Sequence, residues 1–270
     1  MGTTATCGIA PRARACDLGG VARSPSTTPG RASVAYRPPM AIRNAPLAEM
    51  LGRARSVSPK QAQRILLPND DESEGAEAGI FAAGDLDLLQ RPCVAIVGTR
   101  NVSPEGAKRA RRLARELAEQ GVVVVSGLAK GVDTEALTAA LDAGGRVVAV
   151  IGTALDRAYP AENKRLQERI YSEHLLLSQF RPGDAVHPRN FPQRNKLMAA
   201  VADATVIIEA SDTSGTLHQA SECLRLGRWL FVANSITEDR RLTWPARFVG
   251  KEHVEVLSAS AQVIERIRGR

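Results

Sequence analysis

The stretch from Cys93 to Gly131, CVAIVGTRNVSPEGAKRARRLARELAEQGVVVVSGLAKG, decides the fold. Cys93–Val97 is a short, continuously apolar run that stops at Gly98-Thr99-Arg100. That is the pattern of a strand buried on both faces and followed by a turn. Ser103-Pro104 then supplies a helix N-cap with proline at the first helical position. Ala107, Ala110, Leu113, Ala114 and Leu117 recur at helical spacing, while Lys108, Arg109, Arg111, Arg112 and Arg115 fall mostly on other faces. Val122–Val125 is a second buried run, closed by Ser126-Gly127. Strand, covering helix and strand make one βαβ unit.

Outward from this unit the alternation continues. A helix over 133–143, capped by Asp133, precedes a strand at Arg146–Ile151. Further strands read at Leu175–Ser178, Thr205–Glu209 and Trp229–Ala233, with helices near 161–171, 193–202 and 215–226 between them. Continuous β-branched strands alternating with helices specify right-handed crossovers. The predicted fold is α/β: a Rossmann-like parallel sheet with helices on both faces, over residues 80–236. Residues 1–50 read as a disordered basic extension, rich in Ala, Gly, Pro, Ser, Thr and Arg, with Asp17 and Glu49 as the only acids. Its composition also suits a transit peptide, though without an amphipathic helix, and a start at Met40 or Met50 explains it equally well. A short helix and an acidic linker fill 51–79, and 237–270 is expected as a C-terminal extension packing on the core.

Composition narrows the function. The 270 residues, 44% hydrophobic and 24% charged, are those of a soluble globular protein. No apolar run approaches the ~20 residues of a membrane helix. Cys7, Cys16, Cys93 and Cys223 fall in no CxxC pair, so neither zinc nor a disulfide framework is expected. Without a secretory signal the expected location is cytoplasmic. The net charge of +7 is uneven: basic in 1–50 and 91–200, acidic in 51–90, balanced in 201–270. Surplus positive charge attracts phosphate polymers, against the plainer explanation of a solvated surface.

In open parallel sheets, ligands bind beyond the carboxyl ends of the strands, where helix N-termini present N–H groups to anions. Small or basic residues recur at those ends: Gly98-Thr99-Arg100, Ser126-Gly127 with Lys130-Gly131, Gly152-Thr153, Arg194-Asn195-Lys196 and Ser214-Gly215-Thr216. Glycine admits a phosphate to the backbone, hydroxyls donate to it and cations neutralise it. Together they predict a phosphate-binding crest. There is no GxGxxG after the first strand and no GxxxxGK[ST], so neither a dinucleotide fingerprint nor a P-loop is present.

Gly84-Asp85-Leu86-Asp87-Leu88-Leu89 followed by Val94-Ala-Ile-Val-Gly-Thr-Arg100 resembles the start of the Rossmann domain of the DNA-processing protein A (DprA, Smf) family. Ser126-Gly-Leu-Ala-Lys-Gly-Val-Asp133 is similar to its SGLARGID segment, Tyr159-Pro160 with Asn163 to its YPxxN, and Phe191-Pro-Gln-Arg-Asn-Lys196 to its FPxRNR. The likeness spans about 80–235. It departs at Leu137, Gln179, Gln219 and Val232-Ala233-Asn234; the family's N-terminal helical domain is expected as at most a remnant in 47–66, and 237–270 is too short for the winged helix many members carry. The resemblance implies single-stranded DNA as partner, homodimerisation, help in loading a RecA-type recombinase during DNA uptake, and no catalysis or cofactor. It makes Arg100, Lys130, Arg194 and Lys196 candidate phosphate contacts. Gly98, Thr99, Ser126, Gly127, Asn195, Ser214 and Gly215 are candidate donors or close-approach positions, and Phe191 either stacks on a base or belongs to the core.

Two rivals stand beside this reading: a nucleotide-binding sensor, and a LOG-type phosphoribohydrolase. In the second, Gln219 stands where the catalytic Glu would be, and an amide is neither acid nor base at neutral pH. Glu209 is open to two roles, a ribose contact or a partner for an arginine. His174, His187, His218 and His253 are scattered and read as surface or loop residues, Cys93 and Cys223 as buried small hydrophobes. The arginines of 108–115 are open to two readings, a solvated helix face or an addition to a nucleic-acid track.

Overall fold

The computed structural model describes residues 41–55 and 79–269. In chain order the elements are β1 (Arg43–Pro46), α1 (Leu47–Gly52), β2 (Gly79–Gly84), β3 (Cys93–Val97), α2 (Pro104–Glu119), β4 (Val123–Ser126), α3 (Val132–Asp142) and β5 (Val147–Ile151). They continue with α4 (Lys164–Glu173), β6 (Leu175–Ser178), α5 (Asn190–Val201), β7 (Ala204–Ile207), α6 (Thr216–Arg225), β8 (Trp229–Ala233), α7 (Asn234–Thr237), β9 (Val254–Leu257) and α8 (Ser260–Arg268).

Among the described residues the strands form one nine-stranded sheet ordered β1-β2-β6-β5-β4-β3-β7-β8-β9. From β6 to β9 every pairing is parallel. β1 and β2 pair antiparallel to their neighbours, so the sheet is mixed at one edge rather than wholly parallel. Strand order reverses at β3, with β4 to β6 laid on one side and β7 to β9 on the other. The crevice between the β3 and β7 loops is the switch point where such sheets bind ligands.

Alternation within the strands builds two cores. Cys93, Ala95 and Val97 pack with Leu197, Met198 and Val201 of α5 and with Leu217 and Cys223 of α6. Val94 and Ile96 pack on the other face with Ala110, Leu113 and Leu117 of α2 and with Leu137 of α3. Both faces are covered, which is why these strands read as unbroken apolar runs. The cysteines Cys93 and Cys223 are buried, and burial raises the Cys93 thiol well above its ordinary value.

Two boundaries move. Disorder was expected through residue 50, yet β1 pairs with β2 and Met50 and Leu51 are fully buried in the core. A four-residue strand ending in proline carries no sequence signal, and it is tolerated because β1 lies at the sheet edge. The acidic stretch 56–78 and residues 1–40 lie outside the described residues. At the other end the sheet does not stop near 236: β9 pairs with β8, and α8 buries Val263 and Ile267. Among the described residues no helix is long and apolar enough to cross a membrane.

Candidate nucleic-acid interface

Two adjoining cavities open at the carboxyl edge of the sheet. The first, about 290 Å³, is lined by the β3 loop (Gly98, Thr99, Arg100), by Asn195 of α5 and by Ser211, Ser214, Gly215 and Thr216 before and at the start of α6. The second, about 380 Å³, is lined by Gly127, Lys130, Gly152, Arg157, Tyr159 and Glu162. Arg100, Ala129, Phe191 and Arg194 belong to the walls of both.

Arg100 is exposed, and its guanidinium carbon lies 5.3 Å from the centroid of the half-buried Phe191 ring. Tyr159 packs on the same ring at 5.6 Å between centroids and is itself 48% exposed. Position 152 is glycine where the ring crowds in: a Cβ there would sit 2.9 Å from Phe191. Phe191 therefore packs one edge against Gly152 and lines both cavities. Lys130 pairs through Nζ with Glu162 Oε1 at 2.6 Å, both side chains more than half exposed. That bond holds the Glu162 carboxyl below its usual range.

Arg194 is a different kind of cation. It is 6% exposed, and its Nη1 donates to the Val150 carbonyl at 3.0 Å. Its Nε has no hydrogen-bond partner among the described residues. Burial pulls the guanidinium below its ordinary value, opposed by the charge of Asp133. Asp133 is also buried, and its Oδ2 accepts from Gly127 N–H at 3.0 Å and from Ala129 N–H at 3.3 Å. Burial pushes its carboxyl up while Arg194 and these two donors pull it down. Asp133 is thus the organiser of the β4 loop rather than the cap of α3. Gly131, with φ of 76°, takes the cap position.

The remaining candidates divide sharply. Ser126 is fully buried and its hydroxyl donates to the Ile96 carbonyl at 2.7 Å. With the Gly127 N–H committed to Asp133, neither residue has these donors to offer a phosphate. Ser214 Oγ donates to Thr216 Oγ1 at 2.9 Å and accepts from Thr216 N–H, closing the turn before α6. Asn195 reaches that turn from α5, donating to the Gly215 carbonyl at 3.2 Å. Lys196 lines neither cavity. Two residues along a helix is about 200° of rotation, so Arg194 and Lys196 cannot share a face.

The arginines of α2 are largely paired: Arg109 with Glu209, Arg111 with Glu135 and Arg112 with Glu116. Glu209 is the arginine's partner, not a wall of either cavity. Gln219 is fully buried and, with its amide oriented to suit its neighbours, donates to the Asn195 carbonyl and accepts from Ala199 N–H. It braces α5 against α6. His174 is buried at 4% exposure, not on the surface as its isolation in sequence suggested. Thr216 of the predicted crest lines the first cavity, and Arg157 and His218 line the cavities without having been singled out for binding; for Arg157 the neighbouring Tyr159-Pro160 motif was the available signal.

Residues 68–267 match the profile of the family described as DNA recombination-mediator protein A. The chain is 45% identical over 153 residues to the DNA processing protein DprA of Streptococcus pneumoniae, covering 57% of this chain and 54% of that protein. It is 31% identical over 183 residues to the Bacillus subtilis DprA, covering 67% of this chain and 62% of that one. It thus spans roughly half to three fifths of these relatives' length. The X-ray structure of the S. pneumoniae protein superposes with a TM-score of 0.64 at 33% identity, covering 77% of this chain and 78% of that one. A structure of the Helicobacter pylori protein, reporting its single-stranded DNA binding mode, gives 0.64 at 27% identity, covering 75% and 94%.

Proposed function

Because the chain belongs to the DNA recombination-mediator protein A family, we propose that it binds single-stranded DNA along the carboxyl edge of its sheet. One observation carries this reading. Arg100 stands exposed at the wall shared by two cavities, with the Phe191 ring beneath it and Lys130 on the far side. A flexible strand can place a phosphate against such a cation and turn a base toward the Phe191–Tyr159 pair. Stacking on that pair needs an unpaired base, which a duplex does not offer. Contacts to phosphate carry no sequence information, so binding is sequence-tolerant and driven by charge and stacking. The described family supports the role of mediator, and we extend it to a cytoplasmic homodimer that assists a RecA-type recombinase. Gln219, where the hydrolase reading would need a glutamate, has neither acid nor base to offer at neutral pH, which supports the binding reading over that one.

Fluorescence anisotropy of labelled single strands, duplex and nucleoside monophosphates across a salt series tests the proposal. Single strands should bind tightest, and Arg100→Ala should weaken all sequences alike while flattening the log–log salt slope by about 0.7. Equal affinity for duplex, or an Arg100→Ala protein with unchanged slope, sinks it.

A further inference from the structure

β3 and β7 are neighbours at the switch point, so a residue leaving β7 can reach the loop that leaves β3. Glu209 does this three times. Its backbone carbonyl accepts from Thr99 N–H at 2.7 Å. Its carboxylate accepts from Ser103 N–H at 3.2 Å through Oε1 and from the Ser103 hydroxyl at 2.6 Å through Oε2. The two grips fall on either side of Arg100. The same hydroxyl accepts from Gly106 N–H at 3.0 Å as the N-cap of α2, which ties the far end of the loop to a helix. The near end is tied to α3, where Val132 N–H donates to the Thr99 carbonyl at 3.2 Å. A side chain at Gly106 would run into the Glu209 carboxylate, so glycine leaves the carboxylate its place.

The Glu209 side chain is 28% exposed and lines neither cavity. Its ion pair with Arg109, at 3.7 Å with the arginine 38% exposed, is looser than its bonds to Ser103 and does not account for them. We propose that Glu209 is a positioning residue: it fixes the Thr99–Ser103 loop so that the Arg100 guanidinium already stands over Phe191 when a strand arrives. The inference rests on the single-strand-binding reading. An arginine on a loose loop would surrender backbone and rotamer freedom on binding, and a loop clamped at both ends has lost that freedom during folding.

The test is a double-mutant cycle read by anisotropy with a labelled oligothymidylate. Glu209→Ala should weaken binding roughly three- to tenfold, and that loss should vanish when Arg100 is already alanine. In a Lys130→Ala background the loss should keep its full size. Glu209→Gln should recover part of the affinity, because its amide oxygen still accepts from Ser103 N–H. Should Glu209→Ala not fold, Ser103→Ala removes the 2.6 Å bond from the other side and enters the same cycle. Losses that add fully to Arg100→Ala, or no loss at all, overturn the proposal. Amide hydrogen exchange on the DNA-free protein separates the two claims. Ser103 N–H should exchange faster in Glu209→Ala, while Thr99 N–H, held by the Glu209 backbone carbonyl that alanine keeps, and Leu176 in β6 are unchanged. Unchanged exchange at Ser103 overturns the clamp, whereas unchanged affinity in Arg100→Ala overturns the DNA reading beneath it.

Discussion

The guanidinium of Arg194 stands where a side chain at position 127 would be: a Cβ on Gly127 would overlap its Nη1. Gly127 is not among the residues with positive φ, so glycine is required here for volume and not for conformation. The smallest side chain at 127 therefore decides whether Arg194 reaches the Val150 carbonyl. Gly127→Ala is expected to destabilise the fold by about 1–3 kcal/mol, the usual range for overpacking. Chemical denaturation measures it, and a midpoint equal to the parent's would contradict the packing described.

Asp133 and Arg194 balance each other in the interior without a direct ion pair within 4 Å, through the loop that Asp133 organises. Asp133→Asn keeps the shape but leaves the arginine uncompensated, a change that typically costs about 3–5 kcal/mol for a buried charge. Arg194→Met alone should cost less, and the double variant should be more stable than the sum of the singles. Additive losses in the same denaturation series would show that the two groups do not sense each other.

Burial, with Arg146 nearby, lowers His174 below the usual histidine value of 6.5, and its Nδ1 has no hydrogen-bond partner among the described residues. The unfolded chain then takes up this proton at higher pH than the folded one. Stability is complete above about pH 7 and falls as pH drops through 6.5 toward the lowered folded value. His174→Gln should flatten that part of the profile. Denaturant midpoints from pH 8 to 5 decide it, and parallel profiles for the two proteins would count against the assignment.

Lys130 is neutralised by Glu162 on the rim of the second cavity. Both side chains are more than half exposed, so the pair is weak and a phosphate can replace the carboxylate. Glu162→Gln is expected to tighten single-strand binding roughly two- to threefold at low salt, with the gain fading as salt is raised. The gain should disappear in a Lys130→Ala background. A persistent gain there would trace it to general repulsion by Glu162 instead.

Six strands were legible because each is a short, mostly unbroken apolar run between turns and helices. β1, β2 and β9 were not. Arg43–Pro46 has no apolar pattern, Gly79–Gly84 is small-residue sequence flanked by glycine, and Val254–Leu257 is a four-residue edge strand of middling burial. At the site, the glycine-rich loops could be placed by eye, but the commitments of individual atoms could not. Nothing in the letters Arg-Asn-Lys tells that Arg194 points inward, bonded to Val150, while Lys196 turns away. Ser126-Gly127 looked like a pair of donors and is instead packing and loop architecture. Asp133 looked like a cap because Asp before a helical run usually is one, and only the fold places Gly127 and Ala129 N–H groups around it.

The walls of the two cavities come from loops that follow β3, β4, β5 and β7 and from the first turns of α5, four strands spread across the sheet with more than a hundred residues between the first and last. No short contiguous fragment carries this surface, the walls of both cavities. Whatever settles across it stitches distant stretches of chain together, and its binding energy becomes resistance of the whole sheet to unfolding. Occupancy should therefore appear as a rise in melting temperature that scales with ligand concentration. Loss of any one crossover should abolish recognition and fold in a single step rather than by degrees.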